Sequence, residues 1–168
     1  MGFLVVKRNR CHVMKRSKTL KQKDYDILAE LVRDGRITYT ELARKVGMSP
    51  AGVLKKVRSL EEEKIILGYT AILNHEKLSK KLKLLIFVKC SAGKHSIVAR
   101  QIKKVAADSI LEIHEITGDY DVVVKAVVKD RNEAKDLIAQ VSSIPHVVST
   151  STSMVLDTVL ERPSIAPS

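Results

Sequence analysis

Between Leu42 and Leu60 five basic side chains, Arg44, Lys45, Lys55, Lys56 and Arg58, stand without one acid among them. The neighbouring acids, Asp24, Asp26, Glu30, Asp34, Glu41 and Glu61-Glu62-Glu63, lie outside that stretch. A basic patch inside an otherwise neutral domain is the chemistry of a surface that neutralises a polyanion. Just ahead of Lys55 come Ser49, Pro50, Ala51 and Gly52. Small residues at the start of a helix let its N-terminus approach a partner closely, with lysines and an arginine following one turn later. The bland reading is a solvated basic face on a three-helix core, and the residues alone leave it open.

The second candidate constellation is Gly118-Asp119-Tyr120-Asp121, with Thr150 and Thr152 further on. A carboxylate accepts from an ammonium, while hydroxyls and loop N–H groups meet a carboxylate. Residues two apart on a strand project to the same face, so Thr150 and Thr152 could act together. The same residues also suit plain hairpin punctuation and β-propensity. For catalysis the sequence offers little. His12, His75, His95, His114 and His146 are scattered without metal-ligand spacing, and Cys11 and Cys90 sit in unrelated contexts. No nucleophile elbow, Gly-rich phosphate loop or paired-carboxylate pattern is present, so we expect no enzyme activity, no metal and no resident cofactor.

The elements that must position these residues follow from periodicity. Ile27, Leu28, Leu31 and Val32 give helical spacing over 24–35, with Gly35 as the expected cap. A second short helix is expected from Thr40 to Val46, capped by Thr40 or its neighbour and ended by Gly47. Ser49 as N-cap and Pro50 at the first position open a third, running to about Glu63, with Val53, Leu54, Val57 and Leu60 inward. Two helices joined by a short Gly-containing turn make a helix-turn-helix. Ile65 to Leu73 reads as two short strands around Gly68, and 77–83 as a tether.

From Leu84 the pattern changes. Strands are expected at 84–90, 110–117, 121–128 and 147–160, and helices at 96–107 and 131–143. The first of these helices turns Ile97, Val98, Ile102, Val105 and Ala106 inward. The order βαββαβ is a ferredoxin-like arrangement whose helices cover one sheet face, leaving a face of Leu, Ile and Val in need of a partner. The expected class is α+β: an N-terminal winged helix-turn-helix domain (21–73), a linker (74–83), a ferredoxin-like domain (84–160) and a tail (161–168). Residues 1–20 form a basic leader. Residues 1–23 carry eight of the 30 basic side chains and no acid, so most of the net +11 is a property of this end of the chain. Met14, before Lys15-Arg16-Ser17-Lys18, is a second candidate start. Apolar runs such as Leu84 to Val88 are far short of a membrane span, and the first residues lack a signal-peptide core, so a cytoplasmic protein is expected.

Asp24-x-x-Ile27-Leu28-x-x-Leu31-x-x-Asp34-Gly35-Arg36 and Glu41-Leu42-Ala43-x-x-Val46-Gly47-Met48-Ser49-Pro50 then form an ordered set. It continues with Val57-Arg58-x-Leu60-Glu61, Ile66-x-Gly68-Tyr69, Thr117-Gly118-Asp119-Tyr120-Asp121 and Val147 to Leu156. This set, over roughly 20–160, resembles the leucine-responsive regulatory protein/AsnC family, the feast/famine transcription regulators of bacteria and archaea. Two positions depart from it: Lys64 and His146 stand where the family usually has Gly. The resemblance implies double-stranded DNA as a partner, touched by Tyr39, Thr40, Ser49, Pro50, Ala51, Gly52, Lys55, Lys56 and Arg58. It also implies dimers joined through the sheet, often built into octamers. An amino-acid effector would lie between dimers, held by Gly118, Asp119, Tyr120 and Asp121 of one subunit with Thr150 and Thr152 of another. Two alternatives stand beside it: an architectural DNA binder with little sequence preference, and an enzyme resembling siroheme decarboxylases, using His114 and His146.

Overall fold

A computed structural model describes residues 19–79 and 82–167. The basic leader through residue 18, Met14 included, and Lys80 and Lys81 of the tether lie outside the described residues. The chain divides into two compact units. One runs up to Ile72 and groups with the segment from Glu161; the other spans Leu73–Leu160.

The first unit holds α1 (Gln22–Arg33), α2 (Tyr39–Val46) and α3 (Pro50–Glu62). Their apolar faces meet in an aliphatic core of Ile27, Leu42, Ala43, Val46, Val53, Val57 and Leu60. Leu54, expected inward, is only half-buried. Gly35 does not cap α1. The helix closes at Asp34, whose N–H donates to the Glu30 carbonyl (2.9 Å) and whose carboxylate accepts from Arg36 N (2.8 Å). An Asx turn thus replaces a left-handed glycine. Thr40 does not cap α2 either, because Thr38 Oγ1 accepts from Glu41 N (3.2 Å) two residues earlier in the chain. Gly47 ends α2 in the left-handed region, as expected, and Ser49 Oγ accepts from Gly52 N (3.2 Å) at the head of α3.

The two short strands expected around Gly68 are absent: residues 65–74 carry no strand. The reason is local. Ile65 N and Ile66 N both donate to the Leu60 carbonyl (2.9 and 3.1 Å), closing α3, and Ile66 packs on the helical core. A lone two-stranded ribbon with no surface to cover would be marginal in any case.

The second unit holds a short 3₁₀ turn at Glu76–Leu78 and then β1 (Leu82–Cys90), α4 (His95–Val105), β2 (Ile110–Glu115), β3 (Val122–Val128), α5 (Arg131–Ser142) and β4 (Val147–Met154). The strands form one sheet in the order β2-β3-β1-β4, every pair antiparallel. This is the expected βαββαβ arrangement. Leu84, Ile86, Val88 and Cys90 of β1 alternate onto the face covered by the helices. There they join Val122, Val124, Ala126 and Val128, with Val98 and Ile102 of α4 and Leu137 and Val141 of α5.

Several boundaries move for physical reasons. β1 begins at Leu82 because Leu82 and Lys83 still find partners in Val128 and Val127. β4 stops at Met154 instead of Leu160. Met154 pairs with Leu84, and the next backbone bond, Val155 N to Lys83 O (2.9 Å), is the last of that run. In β2 a bulge between Ile110 and Glu112 adds one residue and reverses parity. Ile110 and Ile113, expected on opposite faces, therefore both pack on the core. α4 is shorter than expected, and Ile97 and Val105 are 39% and 48% exposed instead of inward.

Lys64 (φ 60°) and His146 (φ 75°) both occupy the left-handed region. These are the two positions where the resemblance calls for Gly. An L side chain there costs roughly 1–2 kcal/mol, partly offset by the roughly 0.5–1 kcal/mol that glycine loses in chain entropy. Lys64→Gly and His146→Gly are each expected to stabilise the fold, by about 0.5–1 kcal/mol, read as a higher urea midpoint at unchanged slope.

Candidate functional site

The exposed side of α3 begins with Ser49, Pro50 and Ala51 and continues through Lys55 and Arg58, all open to solvent. Ala51, Leu54, Lys55, Arg58, Ser59 and Glu62 line one shallow groove along it. Tyr39 and Thr40 at the start of α2 are also exposed. Gly52 is half-buried, and its lack of a side chain has a specific cause. A Cβ there would come within 3.1 Å of Ser49 Oγ and 3.3 Å of Met48 Cε, pressing on the hydroxyl that caps the helix. Helix propensity alone would favour alanine by about 1 kcal/mol.

The five cations between Leu42 and Leu60 are not equivalent. Lys56, expected on the exposed face, is turned towards α1, where its Nζ donates to Asp24 Oδ1 (2.5 Å). Asp24 is 6% exposed and is the buried charged residue of the described chain. Its other oxygen accepts from Lys21 N (2.8 Å) at the head of α1. Lys45 donates to Glu30 (2.7 Å), and that bond, with help from Arg33, holds the Glu30 carboxyl below its ordinary pKa. Arg44, Lys55 and Arg58 have no such partner among the described residues. Lys23 belongs by composition to the basic end of the chain, yet its Nζ donates to the Val46 carbonyl (2.5 Å) at the end of α2. Tyr69 Oη donates to Glu61 (3.0 Å), and partial burial together with that carboxylate pushes its phenol up to about 12.

In the second unit, Gly118 takes φ 116° with open space where a Cβ would point. Asp121 pins the connection to β1. Its N–H donates to the Val88 carbonyl (3.0 Å), and its Oδ2 accepts from Cys90 N (2.7 Å) with Lys89 Nζ at 3.8 Å. Tyr120 stacks at a tilt on Phe87, centroids 5.5 Å apart, while Asp119 is exposed. Thr150 and Thr152 do share a face. They lie opposite Val88 and Ile86, on the side the helices cover, and Thr150 Oγ1 is 3.0 Å from Ser142 Oγ of α5. Within one protomer the threonines and the hairpin flank β1 from opposite sides, about two strand spacings (~10 Å) apart.

The uncovered sheet face is more polar than expected. Leu85, Phe87 and Val123 alternate there with Lys125, Ser151 and Ser153, and isoleucine is not among them because Ile86 points the other way. Glu112 bridges His114 (2.9 Å) and Lys125 (2.9 Å), which hold its carboxyl below the ordinary pKa. His114 lies on β2 and His146 just before β4, so the two histidines of the enzyme alternative stand at opposite edges of the sheet.

Removing the Lys56 ammonium would leave the Asp24 carboxylate buried beside fewer donors. Lys56→Met is expected to lower stability by about 1–3 kcal/mol in chemical denaturation, whereas Lys55→Met should change it by less than about 0.5 kcal/mol.

The sequence model described as winged helix-turn-helix DNA-binding matches residues 20–66, and the Lrp/AsnC ligand binding domain matches residues 83–165. Over 140 residues the chain is 34% identical to the HTH-type transcriptional regulator FL11 of Pyrococcus abyssi, covering 83% of this chain and 91% of that one. Over 147 residues it is 35% identical to the leucine-responsive regulatory protein of Haemophilus influenzae, covering 86% and 89%. Among solved structures it is similar to a transcriptional regulator of Neisseria meningitidis in complex with L-Met. That match has a TM-score of 0.80 and 27% identity over 88% of this chain and 96% of that one. Escherichia coli AsnC, at 24% identity and a TM-score of 0.80 over 89% and 100%, shares the fold. These matches, with relatives 34% and 35% identical over 83% and 86% of the chain, place it in the Lrp/AsnC family of transcriptional regulators, in keeping with its helix-turn-helix unit followed by a βαββαβ unit.

Proposed function

We propose that this protein is a sequence-specific regulator that binds double-stranded DNA upstream of its own gene, in the cytoplasm and without catalysing a reaction. The DNA-binding domain spans 21–73, and an effector-binding and oligomerisation domain spans 84–160. The observation that carries this reading is the exposed side of α3. Small residues at its N-terminus are followed by Lys55 and Arg58, which have no acidic partner among the described residues. Seated in a major groove, Ser49, Pro50, Ala51 and Gly52 would lie closest to the bases. Lys55 and Arg58, with Tyr39 and Thr40 at the start of α2, would meet phosphates or base edges. Lys56 contributes through Asp24, by holding α3 against α1, more than through a phosphate of its own.

A self-pairing of the uncovered sheet faces would present two reading helices to two half-sites, and further assembly of dimers would give octamers. An amino acid bound between dimers would modulate the DNA affinity. Gly118, Asp119, Tyr120 and Asp121 would come from one subunit, and Thr150 and Thr152 from another. The L-Met complex of the Neisseria relative supports an amino-acid ligand. So does the exposure of Asp119, whose carboxylate is open to an ammonium, whereas Asp121 already accepts from Cys90 N. L-Met is accordingly expected to shift the sedimentation or DNA affinity of the wild type and to do so far less with Asp119→Ala.

The DNA reading is tested by titrating the upstream DNA and random DNA of equal length across a salt series. Preference for the upstream DNA is expected, with affinity falling steeply as salt rises. Lys55→Ala and Arg58→Ala should each reduce the log–log salt slope by about one if they meet phosphates. Lys56→Met should leave the slope nearly unchanged in protein that remains folded. Salt-sensitive binding without preference would favour an architectural role, and no binding at low salt would overturn the reading.

A further inference from the structure

The groove along α3, about 440 Å³ in volume, holds one large apolar side chain among polar ones. Leu54 lines it together with Ala51, Lys55, Arg58, Ser59 and Glu62. The buried stripe of α3 is Val53, Val57 and Leu60, whereas Leu54 is only half-buried and borders the side that carries Lys55 and Arg58. At 3.6 residues per turn, Ala51, Leu54, Lys55 and Arg58 fall within about 100° of one another around the helix. Leu54 also lies within the first two turns of α3, which starts at Pro50. Glu62, about 12 Å further along the axis, makes the far end of the groove acidic and unsuited to phosphate.

We propose that Leu54 determines base specificity by reading thymine, its side chain lying against the C5-methyl group on the floor of the major groove. The inference rests on the seating of α3 in DNA proposed above. A leucine side chain can neither neutralise a phosphate nor exchange a hydrogen bond with a base edge. The thymine methyl is the apolar group that base edges present in the major groove, and contact with it separates A·T from G·C at that position. Lys55 and Arg58, next to Leu54 and one turn beyond it, meet guanine O6 and N7 or the flanking phosphates. The half-site therefore places a thymine beside the positions those cations touch.

The test starts from a duplex that the full-length protein selects from a randomised pool, with its thymines replaced one at a time by deoxyuridine. That exchange removes the C5-methyl and keeps the base pairing. At one thymine or more in each half-site, the wild type should bind the deoxyuridine duplex about fourfold more weakly, the effect of one methyl group left unburied. Leu54→Ala should bind the two duplexes equally, while Leu54→Met, which keeps an apolar side chain of similar volume, retains the difference. Lys55→Ala should bind both more weakly and keep the wild-type ratio. A merely structural role for Leu54 would weaken both duplexes alike in Leu54→Ala and leave their ratio unchanged, and that result overturns the proposal. So does a selected duplex in which no thymine is sensitive to the exchange, an outcome that leaves the DNA reading standing. Selection that enriches no sequence overturns the sequence-specific reading and the proposal with it.

Discussion

The Asp24 carboxylate sits where the helices of the first unit must agree. One oxygen takes the backbone N–H of Lys21 and so starts α1; the other takes the ammonium of Lys56 from the middle of α3. A buried carboxylate is costly without such partners, and that cost makes the arrangement specific. α3 cannot rotate about its axis without withdrawing Lys56, and any such rotation would also move Lys55 and Arg58 off the solvent side. The solvent-facing side of α3 is thus fixed by a charge on its hidden side, with the aliphatic core supplying the attraction and the ion pair the register.

The second unit solves its problem by parity. β1 and β3 both alternate, so Leu84, Ile86, Val88 and Cys90 meet Val122, Val124, Ala126 and Val128 under the helices. The same alternation delivers Phe87, Leu85 and Val123 to the open face. The bulge in β2 lets Ile113 rejoin the core after a sequence that alternates out of phase. Asp121 then ties the β2–β3 connection to β1 through the Cys90 amide, while Tyr120 packs on Phe87 and Asp119 stays exposed to solvent.

Much of this is legible from residues of strong local preference. Ser49-Pro50 marks the head of α3, Gly47 the end of α2, and the 3.6-residue stripe the buried side of each helix. What escapes are choices between neighbours of equal chemistry. Thr38 and Thr40 can both cap a helix, and in the folded domain it is Thr38 Oγ1 that accepts from Glu41 N. Asp34 and Gly35 can both end one, and the Arg36 amide settles it for Asp34. Ile65 to Leu73 has strand composition, but its first amides are consumed by the Leu60 carbonyl, a demand that composition does not register.

The two-unit order, most of the elements and the family can be read from the amino acids without coordinates, because periodicity, caps and ordered motifs are local properties of the chain. Lys64 and His146 stand out in the same way as departures, and both hold left-handed backbone that Gly would adopt without strain. Which cations face solvent is a property of the folded molecule only. Lys55 and Lys56 are adjacent, alike and equally basic on paper, yet one is open and the other serves Asp24, thirty-two positions away. The same holds for Thr150 and Thr152, which turn under the helices, and for Val105, which stays open. Each of these outcomes depends on partners distant in sequence and brought near only by folding.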